Sequence, residues 1–229
     1  MDKLQRLSYL TGQEALDKLK NKKVLLCGTG GVGSFVAEAL ARSGVGTIIA
    51  VDYDVVDITN LNRQLLSDKN NIGTKKVEAL KRHIEGIRDT KVECRDCFID
   101  EDFEMPDVDY VIDCIDTLSS KFILAKKSEA KGIPFIASMG TARRLEIGRV
   151  IHTTLDKTKG DPLARRYRNL VKKEAYKHKI EVVYCDSELV ENKLASTDGK
   201  FPLGSAIFTV GSVGLKIANI VFLNLIKGA

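Results

Sequence analysis

Gly28, Gly30 and Gly33 stand between an apolar run and an alanine-rich stretch, a spacing that offers a phosphate a place to sit. Glycine permits a tight turn and close backbone approach. A helix starting there presents free N–H groups and the positive end of its dipole to an anion. Gly31 lies in the same turn. Asp52 comes 19 residues after Gly33, at the end of the next apolar run, where a carboxylate can accept hydrogen bonds from ribose hydroxyls. The combination reads as a nucleotide-binding device, with a purely structural glycine turn as the alternative, and it does not choose between NAD and ATP.

The residues that follow make that choice. Asn60-Leu61-Asn62-Arg63-Gln64 and then Gly73-Thr74-Lys75-Lys76 put amides and cations just beyond the ribose carboxylate. A dehydrogenase has little use for them, whereas a triphosphate needs cations to neutralise its β and γ groups, so ATP is the better ligand. Taken singly, Arg63 or Lys76 would read as a solvated surface charge; their position after the glycine motif gives them a role. Asp116 closes a further apolar run. There it can hold magnesium together with phosphate oxygens, or it can cap a helix ahead of Ser119-Ser120-Lys121. Asp113 falls on the opposite face of a regular strand and ranks below it.

Positioning these groups requires strands alternating with helices. Apolar runs at Lys23–Cys27, Thr47–Val51, 110–115 and 133–137 are interleaved with helical stretches at 34–43 and 119–131. Right-handed crossovers then imply an α/β fold, a doubly wound, mostly parallel Rossmann-like sheet. The rhythm changes near residue 146. A strand at 148–154, a basic helix over 163–179 capped by Asp161 with Pro162 in its first turn, a strand at 182–185, a polar loop at 187–200 and an apolar helix over 204–227 form C-terminal extensions. The expected organisation is a single domain over 1–229, with a nucleotide-binding core at 1–146 and a substrate-binding and dimerisation extension at 147–229.

A length of 229 residues with 44% hydrophobic content suffices for one elaborated core. No run approaches the roughly 18 apolar residues of a membrane span, and the start, MDKLQRLSYL, lacks the apolar stretch of a signal peptide, so a cytoplasmic protein with no membrane partner is expected. Five cysteines in a reducing compartment read as free thiols. Cys94-x-x-Cys97 supplies only two of the four ligands of a structural zinc, so it reads as two ordinary cysteines in or after a strand, and no zinc is expected. Cys27 and Cys114 are expected to be buried in strands. Cys185 is the best placed to be reactive, although an inert thiol is the expected reading. His83, His152 and His178 read as structural or solvated. The net charge of +5 is compatible with a polyanionic partner without demanding one.

The segment GTGGVGS, the strand end Asp52-Tyr53-Asp54, NLNRQ, GTKK followed by Val77-Glu78, and Asp113-Cys114-Ile115-Asp116 occur in order from about Arg6 to Gly140. In this the chain resembles the ubiquitin-activating type of adenylyltransferase (ThiF/MoeB type), the superfamily of the molybdopterin and thiamine pathway enzymes. The resemblance implies activation of a carboxylate as an acyl adenylate with ATP and magnesium, and leaves a monovalent cation open. Carried over by motif, Asp52 would hold the ribose with Asp54 beside it in the nucleotide site. Asn60, Arg63 and Lys76 would contact the phosphates, and Asp116 would hold magnesium. Arg6 falls where the superfamily supplies an arginine from the neighbouring subunit, which implies a homodimer.

The C-terminal third is similar to a narrower branch. Asp161-Pro162-Leu163-Ala164-Arg165-Arg166-Tyr167-Arg168, the Cys185 strand with Ser187-Glu188-Leu189, and the glycine-containing final helix resemble the tRNA threonylcarbamoyladenosine dehydratases. That branch implies adenylation of the threonyl carboxylate on a modified adenosine next to the anticodon, then ring closure with loss of AMP. Read physically, Arg165, Arg166, Arg168 and Lys172, with Lys173, Lys177 and Lys179, crowd one helix with Tyr167 and Tyr176. They offer charges for phosphates and rings for bases, although a basic helix can equally be a solvated face. The rival enzyme reading is adenylation of a ubiquitin-like sulfur-carrier protein, which would leave room for a sulfur-relay partner and a role for Cys185. The rival from another class is a nucleotide-responsive binding protein, which would leave Arg6, Asn60, Arg63 and Lys76 without work.

Overall fold

The computed structural model describes residues 3–194 and 203–227, so the expected loop at 187–200 lies outside the described residues from residue 195 onward. In chain order the elements are α1 (Gln5–Thr11), α2 (Gln13–Leu19), β1 (Lys23–Cys27), α3 (Gly31–Ser43), β2 (Thr47–Val51), α4 (Lys76–Glu85), β3 (Lys91–Arg95), β4 (Tyr110–Asp113), α5 (Leu118–Ala130), β5 (Phe135–Ser138), β6 (Val150–Thr154), α6 (Pro162–Lys173), β7 (Glu181–Cys185) and α7 (Ile207–Lys227). Single 3-10 turns sit at Ile58–Asn60 and Leu155–Lys157.

Seven strands form one sheet in the order β3-β2-β1-β4-β5-β7-β6. Every pairing is parallel except β6 with β7, which runs antiparallel from Val150↔Cys185 to Thr154↔Glu181. Strand order reverses between β1 and β4, and at that switch point the crossovers leave to opposite faces and open a crevice at the C-terminal strand ends.

Side-chain alternation explains why β1 reads as an unbroken apolar run. Val24 and Leu26 enter one core with Val36, Leu40, Ile217 and Val221 from α3 and α7, while Leu25 and Cys27 enter a second core with Ile49, Val111 and Leu124. A third cluster packs Tyr167 of α6 and Phe122 of α5 against Val182 and Tyr184. Helix α7 is more apolar than the sequence reading allowed, being long enough and apolar enough by composition to cross a membrane, yet most of it is buried in the protein. It lies directly on α3: a Cβ on Gly214 would come within 2.7 Å of the Val32 carbonyl oxygen.

Two elements differ from expectation. Helix α4 was not anticipated, although Val77, Leu80 and Ile84, all buried, fall at the spacing of a helix face. Helix α6 stops at Lys173 rather than 179. Ala175 turns left-handed (φ 50°), and the amides of Ala175 and Tyr176 bond back to the Lys172 and Val171 carbonyls at 3.1 Å, the Schellman pattern. Lys177 and Lys179 therefore lie in the connection to β7, not on the helix.

Candidate nucleotide and substrate site

A cavity of about 720 Å³ opens at the switch point, lined from the glycine turn through Asp52, Asp54, Asn60, Arg63, Lys76 and Asp116 to Ser138–Arg144, the start of α6, Leu189 and Val210. Each glycine of the turn has its own reason. Gly28 adopts φ +84°, and a Cβ there would meet the Cys114 carbonyl oxygen at 2.7 Å, while a Cβ on Gly33 would strike the Gly28 carbonyl oxygen. These two let β1, α3 and the strand beside them approach. Gly31 gives way to Val210 of α7, whose side chain would stand 2.7 Å from any Cβ placed there, and Gly30 faces open space with Gln64 no nearer than 3.5 Å, room for a ligand. Gly30 caps α3 without a side-chain bond, leaving the first N–H groups of the helix available to an anion.

Asp52 stands across the mouth of this turn. Its Oδ2 accepts from the Thr29 amide (2.7 Å) and hydroxyl (3.0 Å), and its Oδ1 accepts from the Asp54 amide (3.0 Å), which fixes the carboxylate's orientation. Beside it Tyr53 and Phe98 meet edge to face at 5.2 Å and both line the cavity, an apolar slot suited to a planar base. Neither aromatic was singled out from the sequence; they come from separate loops and only the fold pairs them. The nearby Asp54, Asp116 and Asp52 charges add to burial in holding the Tyr53 hydroxyl above its ordinary pKa.

Elsewhere in the cavity wall, Lys76 is buried and its Nζ lies 2.6 Å from Asp54 Oδ2. Asn60 is buried, and its Oδ1 accepts from the Asp57 amide at 3.1 Å in a reciprocal capping box that fixes the 3-10 turn before Arg63. The Arg63 guanidinium donates to Thr59 O (2.8 Å) and Asn62 Oδ1 (2.9 Å) while bordering the cavity.

Asp116 is exposed to the cavity and lies in the loop after β4, because the strand ends at Asp113 rather than 115. Thr117, not Asp116, occupies the N-cap of α5, so the capping alternative for Asp116 does not apply. The loop is held from below. Lys121, fully buried, donates to the carbonyls of Ile115 and Ser138 (both 2.9 Å) and lies 3.0 Å from Asp113 Oδ2. Burial pushes the Asp113 carboxyl up, and the adjacent Lys121 charge opposes this. Lys121 thus ties together the ends of β4 and β5. The sequence showed only one more lysine in a helix, since burial depends on which strands flank it.

The predicted RNA-binding residues divide. Arg166 lines the cavity, and Arg165 and Lys172 are exposed on α6. Arg168 is instead tied to the protein, its NH1 donating to Thr158 O at 3.0 Å and to the Thr158 hydroxyl. Tyr167 is fully buried with its hydroxyl donating to Lys121 O at 3.1 Å, so it offers no stacking platform, and Tyr176 is half-buried and packs edge-on to Phe122 at 5.4 Å. Both occupy the inner side of this segment, where an aromatic ring belongs in the core. Asp161 caps α6 as expected, accepting from the Ala164 amide at 2.7 Å. Arg144, unanticipated, is buried beneath this helix start, with its guanidinium donating to the carbonyls of Ser187 and Gly160.

Cys114 lies just past β4 and is half-buried rather than fully enclosed; burial, with the Asp113 charge, pushes its thiol up to about 12. Cys97, also in the cavity wall, is raised by burial. Cys94 is in β3 and Cys97 follows it, as expected. Cys185 is fully buried, its Sγ 3.2 Å from Ser187 Oγ. Among the described residues no group of three or more His, Cys, Asp or Glu side chains is arranged to hold a metal ion.

Arg6 does not line this cavity. It is exposed on α1, whose preceding residue Leu4 packs on Gly44 at the C-terminal end of α3. The glycine turn is at the other end of that 13-residue helix, about 20 Å away at 1.5 Å per residue.

Comparison with known proteins agrees with this geometry. The ThiF family model matches residues 3–213. The chain is 35% identical to the tRNA threonylcarbamoyladenosine dehydratase of Bacillus subtilis, across 99% of this chain and 96% of that one. It is 33% identical to the molybdopterin-synthase adenylyltransferase of Haemophilus influenzae, across 70% of this chain and 63% of that one. The crystal structure of E. coli tRNA N6-threonylcarbamoyladenosine dehydratase, TcdA, in complex with ATP superposes with a TM-score of 0.85 at 29% identity, covering 96% of this chain and 93% of that one. With the match extending over the whole length, including the α6 segment and the final helix, the chain belongs to the ThiF family and, within it, to the tRNA threonylcarbamoyladenosine dehydratases.

Proposed function

We propose that this chain is an ATP-dependent tRNA threonylcarbamoyladenosine dehydratase, acting as one adenylation domain in which residues 1–146 hold the nucleotide and 147–229 the substrate. The observation that carries the reading is the single cavity joining the glycine turn, Asp52, Arg63 and Lys76 to a second lobe under Asp161, Leu163 and Arg166. The α3 N-terminus and Asp52 hold phosphate and ribose, the Tyr53–Phe98 slot receives the adenine, and Asn60, Arg63 and Lys76 neutralise the β and γ phosphates. Asp116 fits a magnesium site, being an exposed carboxylate facing the phosphate lobe and not used as a helix cap. Magnesium held there by Asp116 would supply positive charge to offset the charge developing on the departing pyrophosphate.

In the first step a carboxylate oxygen of the substrate attacks the α-phosphorus and pyrophosphate leaves. In the second a heteroatom of the same threonylcarbamoyl group attacks the activated acyl carbon, its proton is lost, and AMP leaves as the ring closes. The nucleophile resides in the substrate, which agrees with a cavity whose thiols, Cys97 and Cys114, are both pushed up by burial and so made poorer nucleophiles. Incubation with ATP, magnesium and tRNA carrying threonylcarbamoyladenosine is expected to yield a nucleoside lighter by one water, with one AMP per product. Absence of that mass change with a folded, ATP-binding protein would overturn the reading.

Replacing Cys185 by alanine is expected to leave turnover on modified tRNA within severalfold of the parent, because a buried thiol takes no part. A loss of two orders of magnitude in a folded variant, measured by AMP release, would favour adenylation of a sulfur-carrier protein instead.

On α6, Arg165 and Lys172 are seven residues apart and face the same way within about 20°, as do Arg166 and Lys173. Replacing Arg165, Lys172 and Lys173 together by alanine is expected to weaken tRNA binding broadly and to flatten its salt dependence by about one unit for each phosphate no longer neutralised, with ATP affinity unchanged. Unaltered tRNA affinity and slope would make this helix only a solvated face. Arg168→Ala is expected to behave differently, lowering stability in denaturant by about 1–3 kcal/mol by stranding the buried Thr158 acceptors.

A further inference from the structure

Among the described residues, five cationic side chains line the cavity: Arg63, Lys76, Arg143, Arg144 and Arg166. Four are committed to protein acceptors. Lys76 pairs with Asp54 at 2.6 Å, Arg63 donates to Thr59 O and Asn62, Arg143 donates to Val190 O at 2.9 Å, and Arg144 donates to the carbonyls of Ser187 and Gly160. Arg166 is exposed and, among the described residues, has no hydrogen bond or ion pair of its own. Its base is nonetheless rigid. It sits one turn into α6, above Pro162 and Leu163 on the cavity side, with Asp161 capping the helix start and Tyr167 next to it fully buried.

Asp161, Pro162, Leu163 and Arg166 border the same cavity as the glycine turn, Arg63 and Lys76. A substrate carboxylate must enter that cavity and approach the α-phosphate of a bound triphosphate, against repulsion between like charges. A guanidinium presents paired N–H donors that match a carboxylate bidentately, and an uncommitted one loses no protein partner in doing so.

We propose that Arg166 is the receptor for the substrate carboxylate. Resting on the dehydratase reading above, this means that it pairs with the free threonyl carboxylate of the modified adenosine and delivers it to the nucleotide lobe. When a carboxylate oxygen forms its bond to the α-phosphorus and the bond to pyrophosphate breaks, the carboxylate charge is gone. The pairing then weakens, leaving the acyl group free to be attacked from within its own side chain. Arg165 and Lys172, turned outward on the same helix, carry no such role.

The test compares two forms of one tRNA, carrying threonylcarbamoyladenosine or unmodified adenosine, binding to the full chain with a non-hydrolysable ATP analogue. The parent protein is expected to prefer the modified form by about tenfold or more, the size of a charge-assisted bidentate contact. Arg166→Ala should abolish most of that preference while binding the unmodified tRNA within twofold of the parent, and Arg166→Lys should recover part of it. Equal weakening of both tRNAs, with a salt slope lower by about one, would identify a phosphate contact and overturn the assignment. So would unchanged preference in the alanine variant. If the parent protein releases no AMP with modified tRNA, the dehydratase reading fails and the assignment falls with it; if the parent converts the tRNA and only the preference test fails, the assignment alone is lost.

Discussion

Asp116→Ala is expected to lower AMP formation on modified tRNA by about two to three orders of magnitude, since a metal that offsets phosphate charge in the transition state is worth several kcal/mol and about 1.36 kcal/mol is tenfold in rate. The side chain reaches the cavity from the loop after β4, is not spent as the α5 cap, and has its backbone held by Lys121 through the Ile115 carbonyl. The variant should therefore fold, bind ATP comparably without magnesium, and lose the dependence of activity on magnesium concentration. Pyrophosphate exchange measured across a magnesium titration checks this. A variant that keeps the parental magnesium dependence would remove Asp116 from the metal site.

Arg6→Ala is expected to be as damaging to adenylation, although Arg6 lies at the far end of α3 from the glycine turn of its own chain. If Arg6 serves the site it does so from a second copy, so activity is expected to require a dimer. Mixing equal amounts of Arg6→Ala and Asp116→Ala chains and allowing exchange should restore about a quarter of the parental rate. Half of the resulting dimers are mixed, and each mixed dimer carries one intact composite site out of two. Sedimentation or light scattering checks whether the chains are paired. Proven exchange without any recovery would count against an arginine acting in trans.

The adenylation motifs were legible because their constraints are local. Gly28 and Gly33 answer to a turn that any side chain would block, Asp52 to its place directly after β2, and Asp161-Pro162 to the geometry of a helix start. β1 and β2 occupy the residues expected of them, since strands buried on both faces are continuous apolar runs. Helix α4 was also within reach from its Val77, Leu80 and Ile84 spacing, but GTKK at its start reads as a source of phosphate contacts, which masks the periodicity behind it.

Other features depend on partners distant in the chain. Composition made Arg165, Arg166 and Arg168 equivalent. Their separation into an outward charge, a cavity-facing charge and a bond to Thr158 follows from the roughly 100° turn per residue of α6 and from what each face happens to meet. Tyr167 is a core residue because α6 packs on α5, and Lys121 is a buried clamp because β4 and β5 end on either side of it. The order of glycines, carboxylates and cations along the chain thus determined the fold class and the nucleotide lobe, whose parts follow one another within a few elements. The substrate side of the cavity, drawn from segments around 140, 162 and 189, was decided only by tertiary packing, because long-range proximity leaves no spacing in the sequence to read.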